Sequence, residues 1–130
     1  MLPLLGHDVA IPVDGRNAAA LFTTDKPIRP QWNDVAFVRS TPGTPWLSAV
    51  SQRYKLVYSA NEVPWLLDLE NDPSELNNLY GESRYDAVVS TMTQALQEYV
   101  KVHRDEHGTH PRIREWMKQG LQRSAGKAQQ

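Results

Sequence analysis

The 130-residue chain has no cysteine. That excludes disulfides, thiolate metal sites and cysteine nucleophiles together. It leaves the compartment open, because a cysteine-free chain tolerates either redox state. No apolar run approaches the roughly 20 residues that span a bilayer. The opening "MLPLLGHDVA" is too short, and lacks the basic flank, for a signal peptide. No Asn-x-Ser/Thr acceptor occurs. Net charge is nearly absent: 14 basic and 15 acidic side chains leave a formal −1. Nothing global therefore draws the chain to nucleic acid or to an anionic membrane. What remains is ordinary for a soluble domain, with 40% hydrophobic and 22% charged residues. The length suits one domain with one modest core.

Residues 1–34 carry Pro3, Pro12, Pro27 and Pro30, with Gly6 and Gly15 between them. Proline removes backbone donors and restricts its neighbours, so this stretch reads as an irregular arm. Four strand candidates follow: Asp34–Ser40, Trp46–Val50, Arg53–Ser59 and Pro64–Glu70. "TPGTP" separates the first two, and Pro64 suits a strand's first position. Short connections favour antiparallel neighbours, which predicts a four-stranded meander.

The period then changes. Asp72 is placed to cap a brief turn, with Pro73 after it, Glu75 at the third position and Gly81 at its end. Ser83 and Asp86 repeat the capping pattern. Tyr85, Val88, Val89, Met92, Ala95, Leu96, Tyr99 and Val102 form an apolar stripe at helical spacing. They predict a helix over Arg84–Glu106 that Gly108 stops. Thr109 and Pro111 open a last helix carrying Ile113, Trp116, Met117 and Leu121, and the polar tail from Ser124 frays. The fold class is thus α+β: a small four-stranded antiparallel sheet packed by a long C-terminal amphipathic helix, with an irregular N-terminal arm. One helix stripe buries too little to order so long a chain. The arm and the second sheet face must bury surface too, and Trp32, Trp46 and Trp65 supply the bulk.

The order of these pieces resembles the C-terminal subdomain of the type I, formylglycine-dependent sulfatases. The R-Y-K strand of that family matches Arg53, Tyr54, Lys55, Leu56 and Val57. Its partner strand matches Trp65, Leu66, Leu67, Asp68 and Leu69, and its D-P-x-E-x-x-N-L segment matches Asp72, Pro73, Glu75, Asn78 and Leu79. "LPLLG" and "GRNAAALF" resemble the end of the family's catalytic domain and the strand after it. The resemblance implies a division into residues 1–34 (arm), 35–125 (subdomain) and 126–130 (disordered tail). The chain departs from the family before the R-Y-K strand, where Ala49, Val50, Ser51 and Gln52 lack the usual arginine; Arg39 lies earlier instead.

The family's nucleophile is a formylglycine made within (C/S)-x-P-x-R, assisted by calcium. This chain has neither a cysteine nor a serine in that motif. No catalytic, cofactor-binding or metal-binding residue is therefore assigned within it. The resemblance implies a portion of a sulfuric ester hydrolase that is inactive alone. Its partners are the catalytic domain and, in the full enzyme, a sulfated substrate, with calcium and formylglycine supplied by the remainder. Periplasmic or secreted placement would suit that full enzyme. Arg39 and Trp46 are the candidates for the substrate-pocket rim.

Other clusters have competing readings. His103, His107 and His110 have spacing that can hold zinc, against a solvated helix end. Asp68, Glu70, Asp72 and Glu75 suggest calcium or acid–base work, against capping. Arg39, Arg53 and Lys55 suit a sulfate, against solvated strand ends. Arg112, Arg114, Lys118, Arg123 and Lys127 read as a solvated face. The alternative for the whole chain is a free-standing, non-catalytic binding module derived from the same fold. A small zinc protein using the three histidines ranks third.

Overall fold

The computed structural model describes residues 35–41 and 43–125. The arm, Trp32 and the tail lie outside them. Four strands, β1 (Ala36–Arg39), β2 (Trp46–Val50), β3 (Tyr54–Ser59) and β4 (Trp65–Asp68), form one antiparallel sheet in the order β1-β2-β3-β4. This is the expected meander: β2 has the expected bounds, β3 loses its first residue, and β1 and β4 are trimmed at both ends. The register aligns Phe37 with Ala49, Ala49 with Leu56, and Leu56 with Leu66. Because side chains alternate across a strand, this row and its neighbours Leu47 and Tyr58 share one face.

Two helices cover that face. α1 runs Asp86–His103, entered through a 3-10 turn at Ser83–Tyr85, and α2 runs Pro111–Ala125. Val89, Met92 and Leu96 of α1 and Ile113 and Met117 of α2 join Leu47, Ala49, Leu56, Tyr58 and Leu66 in one buried cluster. Pro111 starts α2 where its missing N–H costs nothing. The predicted stripe is correct in its middle and wrong at its end, because Val102 is exposed.

The first helix also stops earlier than expected. Arg104 takes the left-handed conformation, φ 51°, and the Asp105 N–H donates to the Val100 carbonyl at 3.1 Å. Gly108 therefore does not end α1. It sits in a 3-10 turn, Glu106–Thr109, against Val100, where a Cβ would lie 2.2 Å from a Val100 methyl carbon. Nor is α1 capped by a side chain at Tyr85; Asp86 in its first turn faces Arg123 of α2 at 3.4 Å.

The "ENDPSELNNL" segment forms no helix. The Asp72 carboxylate accepts from the Leu76 and Asn77 N–H groups, both at 2.8 Å, and so closes a loop. Glu75 does not reach back as a capping partner: its backbone is left-handed at φ 55° and its carboxylate meets Lys55 at 2.8 Å. Asn78 covers the outer edge of β4: its side chain accepts from Leu66 N–H and donates to the Pro64 carbonyl, each at 3.0 Å. Leu79 N–H adds a 2.8 Å bond to the Leu66 carbonyl. These bonds blunt a strand edge that would otherwise template pairing.

At the centre, the buried Thr93 hydroxyl donates to the Val89 carbonyl at 2.6 Å. Its proton is then committed, so the Tyr58 hydroxyl donates to Thr93 at 2.7 Å. Burial pushes the Tyr58 phenol far above its ordinary range. α2 passes over this pair at Gly120, where a Cβ would lie 2.2 Å from the Tyr58 oxygen and 2.6 Å from the Thr93 oxygen. Gly120→Ala is expected to cost about 1–3 kcal/mol as an overpacked core. Gly81→Ala, with open space around its Cβ, stays within about 0.5 kcal/mol. Urea unfolding of the two variants checks this, and equal costs would contradict it.

Candidate functional site

Arg39 ends β1 on the helix side of the sheet and is half-exposed. Its guanidinium Nε lies 3.6 Å from Asp105 Oδ2, and its Nη1 lies 3.8 Å from Glu106 Oε1 and 3.5 Å from His107 Nδ1. Asp105 and His107 are buried. The Asp105 carboxylate also accepts from the His107 N–H at 2.9 Å, starting the turn between the helices. Two residues back on the same strand face, Phe37 stacks on Tyr99 of α1 at 4.6 Å between ring centroids. Burial, and then the nearby Asp105 carboxylate, push the Tyr99 phenol upward. An arginine facing two carboxylates has part of its field cancelled before an anion arrives.

Trp46 is partly buried and opens β2 on the opposite sheet face. Its N–H donates to the Ser40 hydroxyl at 3.1 Å, and the Ser40 N–H donates to the Trp46 carbonyl at 3.1 Å. This pair closes the base of the Pro/Gly loop. The Ala60 N–H fixes its far side by donating to the Pro45 carbonyl at 2.9 Å. Arg39 and Trp46 thus flank one loop base, with their side chains on opposite faces.

The acidic and basic candidates cancel each other. Arg53 meets the buried Asp68 carboxylate through Nη2 at 3.0 Å and Nε at 3.3 Å, and Glu70 at 3.4 Å. Lys55 pairs with Glu75 at 2.8 Å. Neither cation is free for a sulfate, and three of the four carboxylates face a cation. Asp72, the fourth, closes its loop. The histidines do not converge either. His103 packs against Tyr99, His107 joins Arg39, and the His110 ring accepts from the Arg112 N–H at 3.3 Å. Among the described residues no group of three or more His, Asp or Glu is placed to hold a metal ion. The Arg39–Asp105–His107 contact was not foreseen from the sequence, because its halves lie 68 positions apart.

Residues 32–102 match the family described as N-sulphoglucosamine sulphohydrolase, C-terminal. The chain belongs to this sulfatase C-terminal family. The fold agrees. A 2-O GAG sulfatase, BT1596, is similar at TM-score 0.72 and 19% identity, over 82% of this chain and 24% of that one. BT4656, solved in complex with its substrate D-glucosamine-2-N,6-O-disulfate, is similar at TM-score 0.66 and 19% identity, over 86% of this chain and 24% of that one. A third chain, from Bacteroides thetaiotaomicron VPI-5482, gives TM-score 0.73 and 20% identity over 86% and 26%. No protein in the search of curated sequences matches. The chain therefore spans about a quarter of the length of the solved proteins it resembles.

Within this family member, the Arg53–Asp68 pair joins the R-Y-K strand to the D-L strand. The Arg53 hydrogen bonds, followed by those from Asn71, hold the Asp68 carboxyl well below its ordinary 3.8. A depressed carboxyl stabilises the fold above its unfolded value, and that contribution is lost as pH falls through the folded value. The stability gap between wild type and Asp68→Asn is therefore expected to narrow from about pH 5 to about pH 2. Urea unfolding across that range measures it, and a constant gap would contradict the pairing.

Proposed function

We propose that this chain is the C-terminal portion of a sulfuric ester hydrolase. It supports the catalytic domain, lends the loop base flanked by Arg39 and Trp46 to the border of the substrate pocket, and does not turn over substrate alone. The observation that carries this reading is the second face of the sheet. Val38, Trp46, Ser48, Val50, Lys55, Val57, Ser59, Trp65 and Leu67 alternate with the helix-side residues, and none belongs to the cluster that the helices bury. Val38 is 47% exposed, Trp46, Val50, Val57 and Trp65 are partly buried, and Ser48 and Leu67 are buried at 1% and 4%. The Ser48 hydroxyl is buried without a hydrogen-bond partner among the described residues. A mixed, partly buried face carrying two tryptophans and three valines suits an intramolecular partner rather than water. The remaining three quarters of a sulfatase is a partner of the right size.

The substrate class proposed for the whole enzyme is a sulfated sugar, because BT1596 is a GAG sulfatase and BT4656 binds a glucosamine disulfate. Calcium and formylglycine belong to the same reading, but this chain's residues do not fit them. It has no cysteine or serine in the required motif, and most carboxylates of its acidic cluster are held by cations.

The test is an aryl-sulfate assay with calcium, using this chain alone and then with the separately produced catalytic portion from the same genome. The chain alone is expected to match a denatured control. Mixing is expected to raise both the thermal midpoint and the activity of the catalytic portion. Val57→Asp and Trp65→Arg, on the outer face, should abolish that gain while the variant chains stay folded. Turnover by the chain alone would overturn the inactivity claim. A gain indifferent to both variants would overturn the docking face.

A further inference from the structure

The pocket-rim reading leaves Asp105 and His107 unexplained. Both are buried, at 7% and 5% exposure, in the short turn between α1 and α2. A buried carboxylate is expensive unless paired, and Asp105 finds its cation on β1 rather than in its own turn. β1 is a four-residue edge strand. An element so short has few backbone bonds to hold it, so its side chains must do more. Phe37 and Arg39, two residues apart on one face, grip the same end of α1: one stacks on Tyr99, the other reaches Asp105 and Glu106. The residue after Arg39 is Ser40, which makes both hydrogen bonds that close the loop onto Trp46.

We propose that Asp105 is a positioning residue: through Arg39 it fixes the end of β1, and with it the Ser40–Trp46 loop base that borders the sulfated substrate. Arg39 is then not the sulfate's own ligand. Two carboxylates within 4 Å of its guanidinium oppose a third anion there, and their geometry holds the arginine against the inter-helix turn. His107 completes the brace. Its Nδ1 lies 3.5 Å from both Arg39 Nη1 and Asp105 Oδ1, so the ring lies against both members of the pair. This inference rests on the pocket-rim reading for its effect on substrate, but not for its effect on the loop.

The two parts separate in two measurements. The first is amide hydrogen exchange on the full chain. Asp105→Asn keeps an acceptor for the His107 N–H and removes the charge that holds Arg39. It should speed exchange at Ser40 and Trp46 by roughly tenfold or more, with Leu56 and Tyr58 unchanged. Arg39→Gln breaks the same contact from its half-exposed side, should give the same pattern, and serves if Asp105→Asn does not fold. The second is kinetics of the full-length enzyme on a sulfated sugar. Both variants should raise KM roughly three- to tenfold with kcat nearly unchanged, and Arg39→Lys should recover part of the loss. Unchanged exchange at Ser40 and Trp46 in both variants overturns the positioning role. Faster exchange with unchanged KM leaves the brace standing and overturns the rim reading on which its substrate effect depends.

Discussion

The fold depends on one close approach. α2 crosses the sheet at Gly120, directly over the hydrogen-bonded pair of Tyr58 and Thr93. Tyr58 comes from the central strand β3, Thr93 from the middle of α1, and Gly120 from α2. Each element is therefore fixed relative to the other two at a single point. A buried phenol is tolerable only with its hydroxyl satisfied. Thr93 satisfies it because its own proton is spent on Val89. Any side chain at position 120 would push α2 off the pair, so the rest of the helix-side cluster is organised around that absence of a Cβ.

With the helices seated, the two faces of the sheet have different fates. The helix side is closed by Leu47, Leu56, Leu66, Leu96 and Ile113, all fully buried. The opposite side carries Trp46, Val57 and Trp65 and stands outside that cluster. The edges differ as well. Asn78 and Leu79 cover β4 by hydrogen bonds, whereas β1 is held through side chains at Phe37 and Arg39. The outer face carries partly buried apolar side chains that the two helices do not cover, and it is the surface proposed for the catalytic domain. The match of the chain to about a quarter of each solved relative agrees with that physical reading.

Much of this was legible in the sequence. Alternation in "RYKLVYS" and "PWLLDLE" located two strands, and the short connections gave the meander. The helical stripe located α1, although it could not show that Arg104 would turn left-handed and end the helix before Gly108. The family motif was readable as a pattern but not as physics. Asp72 closes a loop instead of capping a helix, and Asn78 earns its place by covering an edge. The candidate site was the least legible part. Arg53 and Lys55 read as solvated strand ends and the acidic residues as caps, because pairing across 15 to 20 positions leaves no local trace. Arg39 likewise looked free, since its carboxylates lie beyond the end of α1.

The central claim is that the outer sheet face is a docking surface for a catalytic domain. Isothermal titration of this chain into that separately produced domain, repeated at several temperatures, tests it most directly. Burial of Trp46, Val57 and Trp65 predicts saturable binding with a negative heat-capacity change, reduced in Trp65→Arg. Absence of binding by the folded chain, or binding with the same heat-capacity change in the variant, would contradict the account.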